Sequence, residues 1–103
     1  MEDVQLTLDL KGHGAFLIKG GDERIAEMVI AVDDKNLTVY HTEVSPKAEG
    51  KGLAKKLLET MVAYARGKKL MVVPLCPFVH AQFKRHPELY LDIWNKEAEQ
   101  SHD

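Results

Sequence analysis

The sequence is poor in cysteine, with a single thiol at Cys76 among its 103 residues. One thiol cannot close a disulfide within the chain, and without a Cys-x-x-Cys pair it cannot found a typical thiolate zinc site. We therefore expect a protein of a reducing compartment that folds without either cross-link. A chain of this length buries about 65% of the surface that its unfolded form exposes, which is enough for the modest core of one domain.

An excess of charge of one sign is also absent, because 14 Lys and Arg stand against 16 Asp and Glu, for a net charge of −2. This balance removes the global electrostatic argument for binding nucleic acid or an anionic membrane, although a local basic patch is compatible with it. Charged residues also interrupt the chain before the ~20 apolar residues of a membrane-spanning helix accumulate. The first residues, including Glu2 and Asp3, are acidic where a signal peptide is basic, so we expect a soluble cytoplasmic protein.

Repeats and low-complexity segments are absent, and only the end of the chain, residues 95–103, is biased in composition. Such a polar end is typical of a solvated tail. We therefore expect one domain over residues 1–94, followed by a polar tail over residues 95–103.

The first 45 residues alternate between short strands and turns. Leu6, Leu8 and Leu10 alternate with polar residues, which is the period-two pattern of a strand with one solvated face. Further strands are predicted over residues 15–19, 24–32 and 37–44, with turns at 11–14, 20–22 and 33–36. The third strand is apolar on nearly both faces, which predicts a central place in the sheet.

The hydrophobic period changes from two to about 3.6 after Gly50. Between Leu53 and Ala65 the apolar residues recur at helical spacing, with lysines on the opposite side. Gly67 follows the last of them and is predicted to cap the helix. This segment is the clearest helix of the sequence.

A buried strand and a second helix are predicted after the long helix. The continuous apolar run over residues 70–75 is typical of a strand covered on both faces, and the second helix is predicted from Phe78 to about His86, before Pro87. A strand, a helix and a buried strand in succession imply a parallel pair with a right-handed crossover. The order β-β-β-β-α-β-α therefore predicts an α+β (mixed α/β) domain with four antiparallel strands and a fifth that joins in parallel.

A loop with two glycines, Gly50 and Gly52, connects the fourth strand to the long helix. Small residues let a phosphate approach the backbone, and the first N–H groups of a helix lack intrahelical acceptors and favour an anion. Lys51 and Lys55 add positive charge. The loop is not a Walker A motif, because Gly follows Lys51 where Ser or Thr would bind magnesium. On two glycines alone, a tight turn from strand to helix is at least as good an interpretation.

The loop and the order of elements resemble motif A of the GNAT superfamily of N-acetyltransferases. That motif reads Arg or Gln, two residues, Gly, one residue, and Gly or Ala; this chain has Glu49, Gly52 and Ala54 at those positions and departs from the motif at Glu49. Three further segments are similar to a small, single-domain YjdJ-like branch of the superfamily, namely residues 41–46, 76–79 and 85–90. The resemblance extends over about residues 24–90.

The resemblance implies an acetyl-CoA-dependent N-acetyltransferase whose acceptor is an amine on a small molecule or a protein. It implies that the fourth and fifth strands splay apart at their carboxyl ends, with the pantetheine arm between them. The residues implied to bind the cofactor are Glu43, Val44, Glu49, Gly50, Lys51, Gly52, Leu53 and Ala54. Superfamily members carry helices between the first two strands, whereas only residues 11–14 intervene here, which implies an open acceptor site.

Cys76 is the first candidate for the chemistry. It closes the buried strand and precedes Pro77, a residue favoured in the first turn of a helix, and a helix N-terminus is a setting in which thiols are reactive. In the fold that the resemblance implies, its thiol faces the acetyl end of the cofactor. Cys76 is then either a nucleophile that carries the acetyl group or a general acid that protonates the departing thiolate. The competing interpretation is a small buried residue that fills space.

His41 is the second candidate, as a base for the amine acceptor or as a partner for Cys76. It lies within the fourth strand, where alternation predicts that its side chain points opposite to those of Tyr40 and Thr42. A half-buried structural histidine is the competing interpretation. We rank a catalytic role for His41 below one for Cys76.

The remaining histidines do not predict a metal site. His80 and His86 lie six residues apart on the predicted second helix, whereas two ligands on one helix face need a spacing of about three or four. His13 is expected in a turn and His102 in the tail.

Three hypotheses for the function follow from these residues. The first is an N-acetyltransferase that uses acetyl-CoA, and the second is a module that binds CoA or acyl-CoA with little or no catalysis. The third is an α+β interaction protein in which the glycine loop is only a turn. The sequence does not constrain the oligomeric state.

Overall fold

A five-stranded sheet forms the frame of the molecule in the computed structural model, which describes residues 3–100. The strands are β1 (Val4–Leu8), β2 (His13–Gly20), β3 (Glu23–Val32), β4 (Asn36–Val44) and β5 (Met71–Pro74). They lie in the order β1-β2-β3-β4-β5, antiparallel up to β4 and parallel between β4 and β5. The predicted α+β fold is confirmed, and so is the central place of the third strand.

Helices follow the fourth and fifth strands. They are α1 (Leu53–Gly67), α2 (Pro77–Arg85), α3 (Pro87–Tyr90) and α4 (Lys96–Gln100), and a 3-10 turn, Pro46–Ala48, precedes α1. The first two helices match the predicted pair, whereas the sequence pattern missed α3 and α4. A helix of four or five residues is too short to display a 3.6-residue period. Among the described residues, no helix has the length and apolar character to cross a bilayer.

The first strand ends earlier than its pattern of leucines suggests. β1 stops at Leu8, and the prediction that Leu10 continues it was wrong, because Leu10 is fully exposed in the following turn. The carboxylate of Asp9 makes this turn by accepting the backbone N–H groups of Lys11 and His13 at 2.8 and 2.9 Å. The hydrogen bond from His13 is the main cause of a lowered pKa for Asp9. A local side-chain bond has therefore overridden the alternation of apolar residues.

Helix α1 lies across the sheet and buries one apolar face. The buried residues of α1 are Leu53, Leu57, Leu58, Met61, Val62 and Ala65. They share one core with alternate positions of β3, Ala26, Met28 and Ile30, and the ring of Tyr64 meets Phe16 of β2 edge-on at 5.7 Å between centroids. The helical spacing of apolar residues predicted this element correctly, because burial of that face removes apolar surface from water.

The end of α1 differs from the prediction. Gly67 is its last helical residue rather than its cap, and the left-handed residue beyond it is Lys69, with a φ of 60°. The N–H of Leu70 donates to the carbonyl of Ala65 at 2.8 Å, which satisfies one of the free carbonyls at the helix end. A glycine at the end of an apolar pattern indicates a stop but does not fix the residue at which the chain reverses.

The segment after α3 folds back on the outer edge of β5. Asn95 donates its backbone N–H to the carbonyl of Val72 at 2.9 Å, and its side-chain amide donates to Oδ1 of Asn36 at 2.9 Å. Residues 101–103 of the predicted tail, which include His102, lie outside the described residues. The division into a domain over 1–94 and a tail over 95–103 stays a prediction.

Candidate functional site

The pairing between strands β4 and β5 stops before the carboxyl end of β4. Their parallel register runs from the start of each strand to the pair Val39 and Pro74, after which the N–H of Cys76 still donates to the carbonyl of Val39 at 2.9 Å. β4 continues to Val44, beyond the last residue of β5. The last residues of β4 thus extend past the end of β5, and we call the place beside residues 40–44 of β4 the gap. The carboxyl ends of adjacent parallel strands are a common place for a ligand in sheets with helices on their faces.

A bulge at Tyr40 reshapes β4 at the start of this gap. Val29 of β3 pairs with His41 and Ile30 pairs with Val39, so Tyr40 has no opposite residue in the register. Tyr40 and His41 are both exposed, whereas Thr42 is half-buried. The alternation predicted for β4, with His41 pointing opposite to Tyr40, is therefore broken by one inserted residue, as is usual at a bulge.

Cys76 is buried where the gap begins. It is only 1% exposed and is the residue that precedes α2, with Pro77 in the first turn. Its Sγ lies 3.3 Å from Oγ1 of Thr42, within reach of a hydrogen bond. The structure thus brings together two side chains from the ends of β4 and β5.

His41 lies apart from this pair. Its side chain is 59% exposed, and its Nε2 lies 3.6 Å from Oε1 of Glu43, an ion pair only when the imidazole is protonated. Among the described residues, the hydrogen-bond partner of the Cys76 thiol is Thr42 and not His41. Sequence reasoning missed Thr42 because a regular strand puts positions 41 and 42 on opposite faces, and nothing in the local pattern signals the bulge.

The glycine loop places two left-handed residues before α1. Gly50 has a φ of 84° and Gly52 a φ of 73°, and Gly52 stands at the cap position of the helix without a side-chain hydrogen bond. The first N–H groups of a 15-residue helix are consequently left without a capping side chain. Uncapped N–H groups together with the helix dipole favour an anion at this end.

A cavity of about 230 Å³ lies over the loop. Its lining residues are Val44, Ala48, Glu49, Gly50, Gly52, Leu53, Ala54 and Lys55. Of the residues predicted to bind a cofactor, only Glu43 and Lys51 do not line it. Glu43 lines a neighbouring cavity of about 230 Å³, and Val44 belongs to both. All of the predicted loop residues except Lys51 therefore line one cavity at the carboxyl end of β4.

Gly52→Ala is expected to lower the free energy of unfolding by about 1 kcal/mol, because an L residue is strained at a positive φ. A Cβ at Gly52 meets no atom within 4 Å, so the loss is due to the backbone alone. Gly67→Ala is the matched control: its Cβ also meets nothing within 4 Å, but its φ is not left-handed, and alanine at a helical position should add about 0.5 kcal/mol. Urea unfolding followed by Trp94 fluorescence compares the two, and equal effects would contradict the assignment of strain.

Comparison with protein families and solved structures gives consistent matches. Residues 15–93 match the family described as GCN5-related N-acetyl-transferase. Comparison with curated proteins gives no match. A GCN5-like protein from Staphylococcus aureus, solved by NMR, is 26% identical with a TM-score of 0.65, over 91% of this chain and 90% of that one.

Two larger proteins share the fold at lower identity. The ribosomal-protein-alanine N-acetyltransferase from Brucella melitensis biovar Abortus 2308 is 17% identical with a TM-score of 0.58, over 77% of this chain and 64% of that one. A GNAT family acetyltransferase from Elizabethkingia anophelis, crystallised with acetyl-CoA bound, is 19% identical with a TM-score of 0.56, over 78% and 54%. This chain thus spans less than two thirds of either protein.

The family match extends from β2 to the segment after α3, which includes the gap, the glycine loop and Cys76. The narrower YjdJ-like branch stays a prediction. With a match over most of its length, and with the fold shared by three solved structures, the chain belongs to the GCN5-related N-acetyltransferase family.

Proposed function

We propose that this protein is an N-acetyltransferase that uses acetyl-CoA as the acetyl donor and an amine as the acceptor. The observation that carries the proposal is the uncapped start of α1, where Gly50 and Gly52 adopt left-handed conformations beneath a cavity. The start of α1 suits the pyrophosphate of CoA, because backbone N–H groups and the helix dipole stabilise an anion without needing a particular side chain. Acetyl-CoA in the Elizabethkingia relative supports the choice of donor.

The departure from the family motif at Glu49 is compatible with this binding mode. Glu49 is exposed and lines the cavity together with Lys55, whose ammonium adds positive charge at the same end of the helix. Backbone N–H groups provide the main contacts in the proposal, so the carboxylate has room to turn toward solvent. Glu43 and Val44 extend the surface along β4, in the position proposed for the pantetheine arm.

Cys76 and His41 are proposed to move the protons. Bound acetyl-CoA supplies the thioester that the amine attacks, and the sulfur that departs must gain a proton while the amine loses one. The thiol of Cys76 donates the first from Sγ, held in place by Oγ1 of Thr42. His41 accepts the second at its exposed imidazole, beside the carboxylate of Glu43. The half-buried hydroxyl of Thr42 then passes a proton from solvent back to the buried thiol of Cys76, and solvent removes that of His41 directly.

The acceptor site is proposed to be open. Residues 9–12 alone connect β1 to β2, and Tyr40 and His41 at the bulge are exposed. Such a surface accommodates an amine carried by a larger molecule as well as a free amine. The lone cysteine suits a reducing compartment, and we place the protein in the cytoplasm.

Acetyl-CoA should raise the free energy of unfolding by about 2.7 kcal/mol at a concentration of 100 times its Kd, and should therefore raise the melting temperature. The measurement is a thermal shift over a range of acetyl-CoA concentrations, with Gly52→Ala expected to need more ligand for the same shift. Gly67→Ala should behave as wild type in this respect. An unchanged melting temperature at saturating concentrations would overturn the proposal.

Release of free CoA thiol in the presence of an amine panel separates an enzyme from a binding module. Turnover that depends on the amine supports acetyl transfer. A protein that shows the thermal shift but releases no thiol with any amine would instead be a module that holds acetyl-CoA without catalysis.

A further inference from the structure

A larger cavity, of about 580 Å³, lies between α2 and α4. Its principal lining residues are His80, Lys84, Pro87, Trp94, Lys96 and Glu99. It shares none of them with the two cavities at the glycine loop. Its volume falls within the range of about 300 to 1,000 Å³ that is usual for small-molecule sites.

The carboxylate of Glu99 contacts two other residues that line this cavity. Oε1 of Glu99 accepts the indole N–H of Trp94 at 2.9 Å, and Oε2 lies 2.5 Å from Nδ1 of His80. The Nδ1 contact does not have hydrogen-bond geometry, and the side chain of Glu99 is only 18% exposed. The rings of His80 and Trp94 also meet edge-on at 5.8 Å between centroids. Glu99 thus links α4 to α2, and both oxygens of its carboxylate lie against residues that line the cavity.

The charged groups of the cavity that pair with no carboxylate among the described residues are the ammonium groups of two lysines. Within residues 3–100, neither Lys84 nor Lys96 forms a salt bridge, and Nζ of Lys96 lies 4.6 Å from the centroid of the Trp94 ring. The apolar part of the lining comes from the indole of Trp94 and the ring of Pro87. Two ammonium groups beside flat apolar surfaces suit a ligand with a negative group and a planar ring.

We propose that this cavity is a second ligand site, for a small aromatic anion that carries a carboxylate or a phosphate ester. The anionic group pairs with Lys84 and Lys96, and the ring packs on Trp94 and Pro87. This site shares no lining residue with the cavities at the glycine loop, so a negative result at either site leaves the other unaffected.

Phenyl phosphate is a suitable probe, because Trp94 is the only tryptophan of the chain and reports directly on the cavity. Titration is followed by Trp94 fluorescence and by the NMR resonance of its indole N–H. We expect a saturable change with phenyl phosphate, a weaker one with benzyl alcohol, which lacks the charge, and the weakest with benzylamine, which is a cation. A titration to about 10 mM detects any site with a Kd of about 1 mM or tighter. If no saturable change occurs by that concentration of phenyl phosphate, the proposal is wrong.

Charge-removing variants test the role of the lysines. Lys84→Gln and Lys96→Gln should each weaken phenyl phosphate binding about threefold, as expected for exposed charge pairs, and Lys19→Gln on β2 should leave it unchanged. Both cavity lysines are exposed, and a thermal melt checks that each variant is folded. The proposal of a second site would be wrong if benzyl alcohol bound as tightly as phenyl phosphate, or if Lys19→Gln weakened binding as much as the two cavity variants do. It would also be wrong if acetyl-CoA displaced phenyl phosphate.

Discussion

Replacing Cys76 with alanine is expected to lower the rate of acetyl transfer about 100-fold, while the thermal shift by acetyl-CoA persists. The thiol lies at the start of α2, where the pairing between β4 and β5 stops, and its Sγ is held 3.3 Å from Oγ1 of Thr42. Alanine removes the proposed proton donor but keeps a small apolar side chain in a buried position. Rates of thiol release at saturating acetyl-CoA and amine measure the effect on the chemical step.

Two further variants separate the roles of this pair. Cys76→Ser keeps a hydroxyl donor of poorer acidity and should retain part of the activity, whereas Thr42→Val keeps the shape of its side chain and should lower the rate less than Cys76→Ala. Full activity of Cys76→Ala would remove the thiol from the mechanism. Acetylated Cys76 in the intact mass of the protein would replace the proposed acid role by a covalent one.

Replacing Phe83 with alanine is expected to lower the free energy of unfolding by about 3 to 5 kcal/mol, the usual loss for a fully buried aromatic residue. Phe83 on α2 is 0% exposed. Its ring stacks on Tyr90 at 4.5 Å between centroids and meets Trp94 at 5.7 Å. The substitution leaves a cavity between α2 and the segment that folds back on β5. Urea unfolding followed by circular dichroism gives the change in free energy.

The control substitutions for Phe83→Ala differ in burial and in volume. Phe83→Leu keeps an apolar side chain and should cost about 1.5 kcal/mol or less. Leu89→Ala removes a side chain that is 51% exposed and should lie within about 0.5 kcal/mol of wild type. A loss at Leu89 as large as that at Phe83 would mean that α3, rather than α2, holds this end of the molecule together.

The local elements of this protein follow from its sequence for local physical reasons. The alternation in the first strands, the 3.6-residue period after Gly50 and the apolar run before Cys76 each reflect which face is buried. The glycine loop is also a local feature, because only glycine adopts a positive φ at little cost, and both Gly50 and Gly52 do so. The order of these elements, together with the motif around Gly52, was enough to indicate the family.

The arrangement of the candidate site needed contacts between distant parts of the chain. The bulge at Tyr40 depends on pairing with β3, and it turns Thr42 toward Cys76, 34 residues further along the chain. The contact of Glu99 with His80 likewise requires α4 to fold back beside α2. Periodicity records whether a residue is buried, but it carries no information on which distant residue it meets. The five strands, the first two helices, the glycine loop and the family can therefore be predicted from the sequence. The partner of Cys76 and the cavity beside Trp94 cannot, because they arise from pairing across the sheet and from packing between helices.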